Sequence, residues 1–208
     1  MKTFKIFSAL IIINILNFNP NTIMSQDTHR KAKEAHGLQI GDTAPDFSAN
    51  DMEGNPFVLN KQLKKGPVVL VFYRGHWCPV CNNHLKKLQD SLQLVYDKGA
   101  SVIAVSPEKT ELLQKTAEKT RAEFILLHDQ AYAISDAFDV TFRPDSMSRL
   151  MYNTVLGANL KKAHDDDSQR LPIPATFVIG KDGKIVWRHF DPDYKKRSDM
   201  KDILENIP

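Results

Sequence analysis

Cys78 and Cys81 are the whole cysteine content of the 208-residue chain. They fall three positions apart in FYRGHWCPVC, residues 72–81, behind Trp77 and on either side of Pro79 and Val80. Such a pair could be a redox center, half of a metal site, or a structural staple. A staple is the poorest fit, because a loop this short removes little entropy from an unfolded chain of this length. For a redox pair the reactive species is the thiolate. A helix N-terminus favors it, since its first N–H groups are unsatisfied and its dipole is positive there. Pro79 suits the first turn of a helix, where its missing N–H costs nothing. Cys78 is then expected at or just before the first helical residue, and Cys81 within the first turn. One sulfur attacks a partner and its neighbor resolves the mixed disulfide.

The metal reading uses Cys78, Cys81 and His84, in C-x2-C-x2-H spacing, with His76 just upstream. Zinc or copper takes such ligands. Ligands packed so closely along one turn and its approach are hard to arrange as a tetrahedron. No metal and no other cofactor is therefore expected, and His84 is read as a helix residue.

The elements that must place the pair follow from the apolar pattern. PVVLVFY, residues 67–73, is a continuous β-branched run, the signature of a strand buried on both faces. The helix after Pro79 is expected to run to Gly99, with Leu85, Leu88, Leu92 and Val95 on one face. SVIAVS (101–106) and FILLHD (124–129) read as further strands, with helices opened by Pro107 and by AYAISDAFD. Residues 141–171 read as irregular and polar, and Asp165–Asp167 as a solvated loop, lacking the spaced ligands and glycine of a calcium loop. ATFVIG and KIVWRHF flank Lys181-Asp182-Gly183, a hairpin signal, and a last helix covers about residues 198–206. The order predicts one α/β domain with a central mixed sheet flanked by helices. The cysteines land at the carboxyl edge of a central strand, where open α/β sheets place chemistry.

Composition narrows the setting. The chain is 42% hydrophobic and 25% charged, an ordinary globular balance, and its net charge is +3. No basic run with interleaved aromatics stands out, so nucleic acid is not an expected partner. Lys2 and Lys5 precede an apolar stretch, Ile6 to Leu16, of signal-peptide length and short for a membrane span. Residues 1–25 are read as a signal peptide, 26–37 as a flexible lead-in, and 38–208 as the domain. Removing 1–25 takes away two lysines and no acids, leaving a net charge of +1 and no stable membrane anchor. The expected location is the periplasm or cell envelope, where unprotected thiols tend to be oxidized.

GDTAPDFSANDMEG and VVLVFYRGHWCPVC resemble the opening and active-site segments of the peroxiredoxin-like, alkyl hydroperoxide reductase/thiol-specific antioxidant family. PATFVIGKDGKIV is similar to the closing hairpin shared with thioredoxin-like proteins. The resemblance spans about residues 38–207. It implies a thioredoxin-like fold with peroxiredoxin-type N-terminal and central insertions, and an antioxidant thiol enzyme. It also implies a thioredoxin-like or other thiol electron donor, and protein disulfides or hydroperoxides as substrate.

Aligned from Phe72-Tyr73, Cys81 takes the family's peroxidatic position, and Cys78 replaces a threonine that binds the peroxide. Pro174 stands where the family has its activating arginine; Arg143 and Arg170 lie near in sequence. Pro174 instead resembles the cis-proline that thioredoxin-like proteins set beside their cysteine pair, so Ile173–Pro174 is expected in cis. These departures favor an exported thiol–disulfide oxidoreductase with Cys78 attacking, Cys81 resolving, and a reversible Cys78–Cys81 disulfide. Trp77 is expected to shield the pair, and Tyr73 and Arg74 are weaker candidates for its lining. The alternatives are a thiol-dependent hydroperoxide reductase with Cys81 peroxidatic and Cys78 resolving, and a thioredoxin-fold metal-binding protein.

Overall fold

The computed structural model describes residues 29–208, so the segment read as a signal peptide lies outside the described residues. β1 (Ser48–Asn50) and β2 (Pro56–Val58) form an antiparallel pair. The Asp51 carboxylate holds the turn between them, accepting from Glu53 N and Asn55 N at 2.9 and 2.8 Å. α1 (Leu59–Leu63) follows. β3 (Val68–Phe72) is buried at every position, as its unbroken apolar run requires. It leads into α2 (Pro79–Asp90), α3 (Leu92–Asp97), β4 (Ser101–Ser106), α4 (Thr110–Thr120), β5 (Ile125–His128) and α5 (Ala133–Ala137). Next come β6 (Thr141–Phe142), α6 (Ser146–Thr154), α7 (Leu160–Ala163) and β7 (Leu171–Pro172). β8 (Thr176–Ile179), β9 (Ile185–His189) and α8 (Met200–Glu205) close the chain.

The central sheet has the order β5-β4-β3-β8-β9. β3 pairs parallel with β4 and β4 with β5, while β8 runs antiparallel to β3 and β9 to β8. This is the expected mixed sheet, closed by the expected hairpin. β3 lies at its center and divides two cores. Val69, Val71 and Tyr73 face Leu85, Leu88, Leu92 and Val95, whereas Leu70 and Phe72 belong with Leu59, Phe138 and Phe177.

Several local expectations change. The helix after Pro79 breaks at Ser91 (φ −108, ψ 8), giving α2 and α3. The apolar spacing runs on through the break, so all four predicted face residues stay buried. α4 starts at Thr110, not at Pro107, leaving Glu108 buried beneath the sheet edge. Residues 141–171 are not irregular. Asp145 caps α6 by accepting from Ser148 N at 2.8 Å, and burial of Tyr152 anchors that helix. Asp165 fastens its loop, accepting from Ala131 N at 3.1 Å and meeting His128 Nε2 at 3.0 Å. Residues 29–37 are tied down rather than loose: Arg143 N donates to Arg30 O at 2.8 Å, and Gly37 N to Asp139 O at 3.1 Å.

The Ile173–Pro174 bond is trans, correcting the expectation of cis. Ile173 N donates to Val140 O at 2.7 Å and Ala175 O accepts from Phe72 N at 2.8 Å, so extended neighbors hold the chain on both sides of the proline. Trans is also the lower-energy form for most X–Pro bonds.

The packing predicts the cost of loosening the helix that carries the cysteines. Leu88 is fully buried on α2. Leu88→Ala is expected to destabilize the protein by about 2–5 kcal/mol, read as a lower urea midpoint at unchanged slope.

Candidate active site

Cys78 is the N-cap of α2 and Pro79 its first residue, as the motif predicts. The Cys78 sulfur accepts from Cys81 N at 3.4 Å, in place of the usual capping oxygen. Cys78 N donates to Gly75 O at 3.1 Å and Asn82 N to Cys78 O at 3.0 Å, which ties the approach to the first helical turn. Both thiols are free, and Cys81 Sγ donates to Cys78 Sγ at 2.7 Å. Neither side chain meets solvent: Cys78 is 0% and Cys81 1% exposed.

The approach to Cys78 is pinned from below. Glu108, fully buried at the end of β4, accepts from His76 N at 2.7 Å and pairs with His76 Nδ1 at 2.8 Å. Asn82 Nδ2 and Lys119 Nζ both donate to His76 O, at 2.8 and 3.1 Å. Gly75 has φ +151, and a Cβ there would run into the Glu108 carboxylate and Trp77 Nε1. Only glycine lets this turn close over the acid. Burial pushes the Glu108 carboxyl upward.

Two guanidiniums face the sulfurs. Arg74, 1% exposed, donates through Nη2 to Cys78 Sγ at 3.0 Å and through Nη1 to Tyr152 OH at 3.1 Å. Its guanidinium carbon lies 3.9 Å from the Tyr194 ring center and 5.1 Å from those of Trp77 and Tyr152, a three-ring cage. Arg197 Nη2 reaches Cys81 Sγ at 3.5 Å. Burial would lower the Arg74 pKa, but the two sulfurs hold it up. Burial lowers that of Arg197.

These contacts separate the two thiols. The hydrogen bond from Cys81 brings Cys78 down to about 5, against the cost of burial and with help from Arg74. Burial raises Cys81 well above its ordinary value, and its hydrogen bond to Cys78 adds to the rise. The contacts thus favor the thiolate at Cys78 and the thiol at Cys81. That is the arrangement an attacking and a resolving cysteine need.

The other sequence candidates divide clearly. Trp77, 5% exposed, is buried in the same cluster as both cysteines, with its ring center 5.1 Å from that of Tyr152. Tyr73 is buried in the same cluster as both cysteines. Pro174 is buried just ahead of β8, at the same sheet edge as Cys78. Of the histidines in the metal alternative, His76 pairs through Nδ1 with Glu108, and His84 Nε2 meets Ser198 Oγ at 2.9 Å. Among the described residues no cluster of three His, Cys, Asp or Glu side chains stands ready for a metal ion. Arg143 and Arg170 turn elsewhere, to Ser168 O at 3.0 Å and to Asp136 at 2.9 Å. Sequence reasoning underrated Arg74 and missed Tyr152, Tyr194 and Arg197. Arg74 is inside the motif and was legible; the others sit in segments with no local signal.

A β–α edge bearing a thiolate–thiol pair on a thioredoxin-type sheet defines a thiol-based oxidoreductase. The comparisons agree. The AhpC/TSA family model matches residues 40–188, and the chain belongs to that family. It is similar to peroxiredoxin Bcp of Escherichia coli, 28% identical over 169 residues, which cover 81% of this chain and 94% of that protein. It is also similar to thiol-disulfide oxidoreductase ResA of Bacillus cereus, 27% identical over 149 residues, 72% of this chain and 68% of that one. Among solved structures, peroxidoxin BcpB from Mycobacterium tuberculosis matches with TM-score 0.62 and 25% identity, covering 81% of this chain and 96% of that chain.

The charge pattern fixes a titration. Thiolate absorbance of the reduced protein should rise with a midpoint near 5, the value to which Cys78 is brought down. Arg74→Gln should move that midpoint upward. Because Cys78 is depressed from an ordinary 9.0 to about 5, its contribution to stability is complete above 9.0 and is lost as pH falls through about 5. Denaturant unfolding of the reduced wild type and Cys78→Ser across that window isolates the contribution.

Proposed function

We propose that the protein is an exported thiol–disulfide oxidoreductase that cycles Cys78 and Cys81 between dithiol and disulfide. The observation carrying this reading is the contact of two free thiols at the cap of α2, with Cys81 Sγ donating to Cys78 Sγ at 2.7 Å and Arg74 Nη2 donating to Cys78 Sγ at 3.0 Å. The Cys78 thiolate attacks one sulfur of a substrate disulfide, and the other substrate sulfur leaves as a thiolate. Cys81 then gives up its proton to a departing thiolate and attacks Cys78. That releases the second substrate sulfur and forms the Cys78–Cys81 bond. Two electrons pass to the substrate, and an external dithiol returns them. Arg74 acts on the attacking sulfur by stabilizing its anion.

A second reading, hydroperoxide reduction, is favored by one observation. Two arginines stand at the sulfurs although the family's arginine position holds Pro174, and Arg74 Nε and Arg197 Nε and Nη1 are buried with no partner. The charge distribution supports Cys78, rather than the Cys81 of the family alignment, as the sulfur that attacks the peroxide. Cys78 would take the distal oxygen as a sulfenic acid, the leaving alkoxide or hydroxide would take a proton, and Cys81 would condense with Cys78 to release water.

Export rests on the charged start and apolar stretch of residues 2–16. No helix among the described residues is long and apolar enough to cross a membrane. N-terminal sequencing of protein from the cell envelope should begin near Gln26; a chain starting at Met1 in the cytoplasm contradicts export.

Substitution separates the roles of the sulfurs. Cys81→Ser leaves the attacker without its resolver and should accumulate mixed disulfides with substrate proteins, while Cys78→Ser should trap none. Arg74→Gln should slow the attack at neutral pH by leaving less of Cys78 as thiolate, and the loss should shrink as pH is raised. Rapid sulfenic acid formation in Cys81→Ser at micromolar peroxide, with no mixed disulfides, would move the second reading to first.

A further inference from the structure

Beside the cysteine site, a cavity of about 560 Å³ opens between residues 29–33 and the start of α6. Phe142, Pro144 and Tyr152 give it an apolar lining, and Lys31, Lys33, Arg143 and Arg149 bring positive charge to it. Backbone oxygens hold two of these cations in place. Arg143 Nε donates to Ser168 O at 3.0 Å, and Arg149 Nη1 donates to Pro144 O. No ion pair among the described residues includes Lys31, Lys33, Arg143 or Arg149. The one carboxylate in the lining, Asp145, is engaged by α6, accepting from Ser148 N and Oγ at 2.8 and 2.7 Å. A cleft lined by one sign of charge on low-dielectric walls raises the encounter rate of oppositely charged partners by about 10- to 10³-fold.

The cavity and the attacking sulfur share a side chain. Tyr152 lines the cavity, and its hydroxyl accepts from Arg74 Nη1 at 3.1 Å, while Arg74 Nη2 donates to Cys78 Sγ at 3.0 Å. A substrate seated there lies one ring away from the guanidinium that holds the thiolate. The arrangement of charge and apolar surface suits a peptide better than a bilayer. Met147 and Leu150, 73% and 58% exposed, stand at helical spacing on the side of α6 opposite Ser148, Arg149 and Tyr152. A flat lipid surface cannot meet those exposed apolar residues and the cations together. A peptide can enter the concave side alone, with an apolar side chain on the lining and carboxylates on the cations.

We propose that this cavity docks an acidic segment of a protein substrate, an apolar side chain flanked by carboxylates, next to the disulfide that Cys78 attacks. The inference rests on the dithiol–disulfide cycle proposed above and names its substrate class: protein disulfides with acidic residues close by. The selectivity is electrostatic and lies in the lead-in residues and α6, apart from the sulfur chemistry.

Matched disulfide peptides test the docking directly. Each is a mixed disulfide with 2-mercaptoethanol beside a leucine, flanked by glutamates, glutamines or lysines. The full protein, reduced beforehand, is mixed with each in a single turnover, and formation of the Cys78–Cys81 disulfide is followed by intact mass after acid quench. At low salt the glutamate peptide should react about tenfold or more faster than the glutamine peptide, and the lysine peptide slowest. Salt at about 1 M, where the screening length falls to about 3 Å, should largely erase the order. Lys31→Gln/Lys33→Gln and Arg149→Gln should each shrink the glutamate-to-glutamine ratio several-fold. That ratio is taken on one sample, so a partly unfolded variant does not change it. Equal rates for the three peptides in the wild type, or an undiminished ratio in both variants, would overturn the docking site and leave the cycle standing. Failure to reduce any peptide, or the small neutral 2-hydroxyethyl disulfide, would remove the cycle and the docking site with it. Cosedimentation with phosphatidylglycerol vesicles that is lost in both variants, with no preference among peptides, would assign the cavity to lipid and overturn the proposal.

Discussion

A buried guanidinium must find an anion, and Arg74 finds a sulfur. The contact from Arg74 Nη2 to Cys78 Sγ at 3.0 Å joins a residue at the end of β3 to the cap of α2. Without the thiolate, Arg74 would be a desolvated charge in an aromatic cage; without Arg74, the buried thiolate would lose its main cationic neighbor. Each makes the other tolerable in a site that excludes water. The same contact adds to the direction that the hydrogen bond from Cys81 gives the thiol pair. Cys81, buried and farther from a guanidinium, is favored to keep its proton, which hydrogen-bonds the neighboring sulfur.

The surrounding structure maintains this contact. Parallel pairing of β3 with β4 brings Glu108 under the turn before Cys78, where it accepts two hydrogen bonds from His76. Gly75 permits the close approach. On the other side, α6 contributes Tyr152 to the Arg74 cage and packs it against Trp77. The segment after β9 adds Tyr194 and Arg197 and is latched by Ser198 to α2 and β8. Three parts of the chain, distant in sequence, therefore converge on one pair of sulfurs.

The family relationship and the site lie on slightly different lines. Sequence relatives include both a peroxiredoxin and a thiol–disulfide oxidoreductase, at nearly equal identity. The site likewise combines features of two chemistries: a cysteine pair on a helix cap, and arginine donors around it. Arg74 stands at another position than the family's arginine, and it faces Cys78 rather than Cys81.

Much of this was legible in the residues. The apolar run at 67–73, the proline after Cys78 and the helical spacing of Leu85, Leu88, Leu92 and Val95 fixed strand, cap and helix, because backbone periodicity and local capping are short-range. The mixed sheet followed from the order of such elements and from the hairpin at Lys181-Asp182-Gly183. α6 escaped, although Asp145 and Ser148 carry its cap, because its exposed face mixes apolar and polar residues: Met147 and Leu150 are largely solvent-exposed. The trans form of Pro174 depended on which neighbors its flanking residues pair with. The identity of the attacking sulfur was the deepest case. Sequence placed both cysteines on one helical turn, where the dipole favors each. Their separation depends on burial and on Arg74, Cys81 N and Arg197, whose distances to the sulfurs only the folded chain sets. Electrostatic differences of this kind fall off steeply with distance and grow with burial, so they belong to tertiary structure and not to spacing.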